Sequence, residues 1–135
     1  MNSITLKAIN EVYSSHVLIQ NWFNGAEEIT LEDLNQLLTR FSSDFLMVTP
    51  NGAELKHKEL SSYLLGMYGA RPDVKIEITK PLVIIEGDEY CILRYEEIQH
   101  MEQKTLHRIS TAVFICDGKD GVLWRHLHET WVLAS

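Results

Sequence analysis

From Pro72 to the C-terminus the chain is a succession of apolar-rich runs cut by strong turn signals, and this half limits the folds open to it. Val74, Ile76 and Ile78 alternate with charged residues, the pattern of a strand with one face buried. Runs at 82–86 and 90–99 flank Gly87-Asp88-Glu89, which predicts a hairpin. A polar turn at 100–104 leads into a long strand over 105–116. Asp117-Gly118-Lys119-Asp120-Gly121 then introduces a last strand over 122–132.

The first half keeps a different period. Leu6, Ile9, Val12, Tyr13, Val17, Gln20 and Phe23 recur at steps of three and four, which predicts a helix over 4–23 closed by Asn24-Gly25. Thr30 can cap a second helix with Glu32 and Asp33 in its first turn and Leu31, Leu34, Leu38 and Phe41 on one stripe. Residues 44–49 read as a strand stopped by Pro50-Asn51-Gly52, and a third helix over 58–68 carries Leu60, Tyr63, Leu64 and Met67 on one side. Helices first and antiparallel strands after make an α+β fold: a curved antiparallel sheet with three N-terminal helices packed on one face. Such a sheet leaves a pocket between the layers that suits a small-molecule ligand. No linker, repeat or low-complexity segment divides the chain, so residues 1–135 are read as one domain.

Composition narrows the partners. A formal charge of −7 over 135 residues argues against a nucleic acid, which demands a basic surface. The N-terminus lacks the basic start and apolar core of a signal peptide, and polar residues interrupt every apolar run short of membrane-spanning length. Cys91 and Cys116 each sit inside an apolar run and read as small buried hydrophobes, so the expected setting is cytoplasmic. There is no G-x-S-x-G, H-E-x-x-H, G-x-G-x-x-G or cysteine cluster, and no cofactor is expected. Asp117–Gly121 lacks the alternate acids and distal Glu of a calcium loop.

Candidate chemistry concentrates in Arg125-His126-Leu127-His128-Glu129-Thr130-Trp131. Strict strand alternation groups Trp124, His126, His128 and Thr130 on one face and Arg125, Leu127, Glu129 and Trp131 on the other. Three roles fit the histidine pair: structural residues with satisfied ring nitrogens, acid–base groups lining the pocket, or two ligands of a metal completed by His107 or Glu96. In the pocket role His128 is the acid–base residue, supported by His126 or Glu96. Arg94 or Arg108 then anchors an anion and Thr130 lines the site; the neighbouring strands add either Arg94 and Glu96 or Tyr95 and Glu97, with Arg108 or His107. No metal is assigned.

Three stretches carry a resemblance: D-F-L-M-V-T-P-N-G at 44–52, R-Y-E-E at 94–97 and W-R-H-L-H-E-T-W at 124–131. Together with the order of elements they resemble the nuclear transport factor 2-like superfamily, also called SnoaL-like or ketosteroid-isomerase-like. The resemblance implies a cone-shaped fold, a pocket between sheet and helices, and a homodimer through the sheet. It implies isomerases, dehydratases, polyketide cyclases or non-catalytic association modules, since one fold hosts many activities. In ketosteroid isomerases an Asp directly before the Pro-x-Gly turn is the general base. Here that position is Thr49, whose hydroxyl is no base at neutral pH. The oxyanion tyrosine matches Tyr13 loosely. The usual ketosteroid isomerase mechanism is therefore not expected. Two functions remain: a small-molecule-binding protein, with isomerase, dehydratase or cyclase chemistry by proton transfer, or a non-catalytic homodimeric association module with Leu127 and Trp131 at its interface.

Overall fold

The computed structural model describes residues 1–133. Its elements run α1 (Ser3–Asn24), α2 (Leu31–Leu38), β1 (Phe41–Val48), β2 (Glu54–Lys56), α3 (His57–Leu65), β3 (Lys75–Ile78), β4 (Leu82–Glu86), β5 (Tyr90–His100), β6 (Thr105–Cys116) and β7 (Val122–Trp131). The expected α+β class holds: a curved, unclosed sheet carries the helices on one face. The sheet order is β2-β1-β7-β6-β5-β3, with β4 also paired to β5. One pairing departs from the all-antiparallel expectation. β1 lies parallel to β7, the first strand inserting beside the last while its other edge pairs antiparallel with β2.

Local chemistry sets the helix ends. Asn2 accepts from the Thr5 amide at 2.9 Å, and Gly25 closes α1 at φ 70°, a left-handed backbone that glycine adopts without penalty. Gly25 also lies against Gly69, where an added Cβ would meet the Gly69 Cα at 3.0 Å, so the first and third helical segments meet glycine to glycine. Thr30 and Asp33 form the capping box expected of α2.

The buried face of α1 is rotated from the stripe read in the sequence. Thr5, Ala8, Val12, Ser15, His16, Trp22 and Phe23 are buried, while Leu6, Tyr13 and Val17 face solvent. Small and polar residues win that face for two reasons. Ala8 and Ser15 let the helix approach the sheet closely. Thr5 and His16 find carboxylates beneath them, Glu86 for Thr5 at 2.5 Å and Glu97 for His16 at 3.1 Å. An aromatic group fills the centre. Trp124 stacks on Phe41 with ring centroids 5.5 Å apart, packs on Phe114 at 4.5 Å, and donates its indole N–H to Glu11 of α1 at 3.0 Å. Burying one such side chain is worth about 5 kcal/mol at ~25 cal/mol per Å².

The last strand does not alternate strictly. Across the β6–β7 pair Val113 faces His126 and Phe114 faces Trp124, which leaves Arg125 as an extra, bulged residue. Across the β1–β7 pair the ladder steps from Phe41↔Trp124 to Leu46↔His126. The bulge flips the phase. Trp124 joins Leu127, Glu129 and Trp131 on the helix-side face, and His126, His128 and Thr130 turn to the opposite face. The four-residue grouping expected from period two is corrected accordingly.

Candidate functional site

A cavity of about 480 Å³ lies between the sheet and the helices. Its floor is β5, β6 and β7; α1 contributes His16, Ile19 and Phe23, and α3 contributes Leu60, Tyr63 and Leu64. Phe45, Met47 and the Thr49-Pro50-Asn51 turn close one side. Most of the lining is apolar, and one wall is charged.

That wall is built by two carboxylates. Glu97 on β5 and Glu129 on β7 both project inward, with side chains only 7% and 2% exposed. Each is held by a chain of donors. The His16 Nε2–H meets Glu97 Oε1 at 3.1 Å, while the His16 Nδ1–H donates to the Val12 carbonyl at 2.6 Å. Both ring nitrogens thus face acceptors, which calls for the doubly protonated imidazolium beside an ionised carboxylate. Gln99 donates to the other Glu97 oxygen at 2.6 Å, and Arg71 donates to the Gln99 carbonyl oxygen. The run Val12–His16–Glu97–Gln99–Arg71 fixes a guanidinium at the cavity from a helix and a strand at once.

The second chain is shorter. Ser110 donates to Glu129 Oε2 at 3.0 Å and Arg108 Nη1 donates to Glu129 Oε1 at 3.2 Å. The Arg108 guanidinium also lies over the Trp131 ring, 4.8 Å from its centroid. Its Nε is buried and has no hydrogen-bond partner among the described residues, and a buried donor left unpaired costs roughly 1–3 kcal/mol. Tyr95 lies beside this wall with its ring 5.7 Å from His16, edge to face, and its buried hydroxyl likewise has no partner among the described residues.

The charges follow from these contacts. Burial pushes the His16 pKa down, but the Glu97 charge, the Glu97 hydrogen bond and the Val12 carbonyl outweigh it and leave the pKa raised. Burial pushes Glu97 up, and the His16 charge and hydrogen bond, Arg108 and Gln99 overcome it, holding the carboxyl at about 2. Glu129 goes the other way: burial and the nearby Glu97 charge raise it above the ordinary carboxylate value against Arg108 and Ser110. Burial and the Glu129 and Glu97 charges push the Tyr95 hydroxyl well up.

Of the residues singled out in the sequence, Thr49 and Arg108 line this cavity. Thr49 acts in the turn, where its Oγ1 accepts from the Ala53 amide at 3.1 Å. His126, His128, Thr130, Arg94 and Glu96 lie on the opposite face of the sheet, and Tyr13 faces solvent. Glu96 is paired there with His107 at 2.6 Å. The His126 and His128 rings are 6.4 Å apart, and burial, with the His128 and Arg125 charges, lowers the His126 pKa. The expected placement of the histidine pair in the cavity is corrected by the bulge at Arg125. Leu127 and Trp131, expected at a subunit interface, instead line the cavity. Among the described residues no three His, Cys, Asp or Glu side chains converge as metal ligands, and no helix is long and apolar enough to cross a membrane.

His16, Arg71 and Gln99 escaped the sequence reading; Glu97 entered it only as the alternative to Glu96 on β5, and Glu129 only as a member of the last strand. His16 is hidden because it sits one position off the apolar stripe of α1. Glu97 and Gln99 alternate on β5 as solvent-facing residues would, and only the register Glu97↔Arg108 brings them to the interior wall.

An NTF-2-like protein of unknown function from Pseudomonas aeruginosa is 34% identical, with a TM-score of 0.86 over 92% of this chain and 97% of that one. A domain of unknown function with a cystatin-like fold from Nostoc punctiforme is 16% identical, with a TM-score of 0.67 over 94% of this chain and 79% of that one. A CamKII hub homology domain from Chlamydomonas reinhardtii is 20% identical, with a TM-score of 0.66 over 93% of this chain and 99% of that one. The chain belongs to the NTF-2-like family; the two more distant structures share its fold. No family model matches the sequence, and comparison with curated proteins finds no match.

The buried pair has a pH signature. The raised His16 pKa means that its stabilisation is complete below the ordinary imidazole value of 6.5 and is lost as pH rises through the folded value. The lowered Glu97 pKa means that its stabilisation is present above 4.5 and is lost as pH falls toward about 2. In NMR titration His16 should titrate above 6.5, and His16→Leu, which strands the Glu97 charge, should cost about 3–5 kcal/mol in urea unfolding at pH 6. Titration of His16 below 6.5 would contradict the imidazolium assignment.

Proposed function

We propose that this protein binds a small molecule in the cavity between sheet and helices. The observation that carries the reading is an apolar cavity of about 480 Å³, a size usual for ligand sites, with one wall of ordered, mutually anchored charged groups. A purely structural core would bring Arg71, Glu97, Arg108 and Glu129 no advantage over apolar residues of similar volume. Binding alone accounts for this wall, in which the nitrogens of His16 and the oxygens of Glu97 and Glu129 each hold a protein hydrogen bond; isomerase, dehydratase or cyclase chemistry would turn on Glu129, the buried carboxyl whose pKa is raised. Two free thiols, one buried and one half-buried, fit a reducing compartment such as the cytoplasm.

A second reading concerns the other face of the same sheet, where a specific observation favours homodimer formation. Ile92, Ile98, Ile109 and Val113 are half-buried there, with Ile92 directly opposite Val113 and Val113 opposite His126. These apolar residues alternate along the face with Arg94, Glu96, His107 and the histidine pair, the mixed apolar and polar character usual for a protein interface. The likeness to a CamKII hub homology domain supports association through such a fold. Association and ligand binding use opposite faces and can coexist, and His126 and His128 belong to the association face.

Two measurements test these readings. In an amide NMR titration with 4-phenylbutanol, a neutral probe with an apolar body, the amides of Phe45, Met47 and Leu127 should shift, and Leu127→Trp, which fills the cavity, should abolish the response. Shifts confined to the outer face, or none, would contradict a ligand site. Light scattering at micromolar concentration should give a dimer mass, and Val113→Asp should give a monomer that still binds the probe. A monomeric wild type would remove the second reading.

A further inference from the structure

We propose that His126 and His128 make the homodimer of this chain proton-sensitive: neutral, they let the outer face of the sheet close on a second copy, and protonated, they part the two. The proposal rests on the homodimer reading and adds its regulation.

The ladder pairs set the geometry. Residues opposite one another on neighbouring strands share a face. Ile85, Ile92, Val113, His126 and Leu46 therefore form one row across β4, β5, β6, β7 and β1. His126 is half-buried and is the one ionisable side chain among these aliphatic ones. The neighbouring row runs Leu82, Arg94, Thr111, His128 and Val48, with His128 exposed. Beyond Val48 this row ends at Glu54 of β2. Arg94 at one end and Glu54 at the other make the face self-complementary, since a two-fold axis along the strands sets the Arg94 end of one copy over the Glu54 end of the other. A second copy seated here takes both imidazoles out of water. A neutral ring enters such a contact at small cost, whereas an imidazolium loses its hydration among aliphatic side chains.

The partners of the other histidines sharpen the point. His16, His100 and His107 each face a carboxylate, at 3.1, 2.9 and 2.6 Å, and His57 faces the Leu38 carbonyl at 2.9 Å. Protonation strengthens those contacts. His126 and His128 face no such acceptor among the described residues, and the charges around them do not replace one. Arg125 precedes His126 and donates to the Asp44 carbonyl of β1 at 2.7 Å. Arg94 and Glu54 lie two strands to either side of His128, and Lys56 lies two strands from His126, each roughly 10 Å away. Glu96 is taken by His107. Burial, with the His128 and Arg125 charges, already lowers the His126 pKa in a single copy. The dimer then binds fewer protons than two separate copies. Its dissociation constant is flat above the imidazole range and rises below it, by up to about 100-fold per pH unit for one histidine per copy. The general charge of the chain acts in the opposite sense: protonating its six histidines removes most of the formal −7, which weakens repulsion between copies. Dissociation on acidification is therefore specific to this pair.

Sedimentation equilibrium of the full chain at pH 8.0 and pH 5.5 in constant salt tests this, with circular dichroism at both values to show that the fold persists. The interior pair does not confuse the result, because the stabilisation from His16 is complete below 6.5 and Glu97 stays ionised down to about 2. The wild type should dissociate about tenfold or more readily at pH 5.5. His126→Phe, which keeps a flat ring without a charge, should reduce that difference, and His126→Phe with His128→Gln should abolish it while the dimer remains at both values. A wild-type dimer of equal strength at the two pH values, or one that tightens at pH 5.5, would overturn the proton control and leave the dimer standing. The same holds for a pH effect retained in full by the double variant, which would place it on other histidines. A wild type monomeric at both values would remove the homodimer reading and the proposal with it.

Discussion

Two carboxylates, Glu97 and Glu129, project into the same interior from β5 and β7, and the arrangement of this molecule follows from the need to neutralise them. Either charge left alone there would destabilise the fold by several kcal/mol. The helix-side cation is His16, and its requirement to meet Glu97 fixes the rotation of α1, which turns Leu6, Tyr13 and Val17 out to solvent. The sheet-side cation is Arg108, opposite Glu97 on the neighbouring strand and bonded to Glu129 across the next. Helix placement, strand register and the charged wall of the cavity are thus consequences of one electrostatic constraint.

The same constraint separates what the sequence makes legible from what it conceals. Turns set by glycine, proline and asparagine act locally, so the hairpin at Gly87-Asp88-Glu89, the α1 end at Gly25 and the stop at Pro50-Asn51-Gly52 lie where the residues place them. The long strand over Thr105–Cys116 and the capping box at Thr30 and Asp33 are legible for the same reason. The α+β class and the nuclear transport factor 2-like resemblance follow from the order of these elements. The buried face of α1 was not legible, because apolar periodicity assumes that polar residues point outward, and Thr5 and His16 point inward to partners 81 residues away. The facing of the last strand was not legible either. One bulged residue, Arg125, reverses the phase, and nothing local marks it. Hence His126 and His128, the most conspicuous pair in the chain, leave the cavity, while Arg108 and Thr49 reach it.

One sheet then serves two surfaces of different character. Toward the helices it presents Tyr95, Glu97, Gln99, Arg108 and Glu129 among aromatic residues. Away from them it presents half-buried isoleucine and valine interleaved with histidine. Strand alternation makes such a division natural, since neighbouring residues on one strand serve opposite faces. Glu96 pairs with His107 outside while Glu97 pairs with His16 inside.

The most direct measurement is a crystal structure of the protein purified without added ligand, with attention to electron density in the cavity beside Arg108. The account predicts an open cavity bordered by Glu97 and Glu129, with His16 bonded at both ring nitrogens to Val12 and Glu97. A cavity collapsed onto its own side chains, with His16 detached from Glu97, would contradict it.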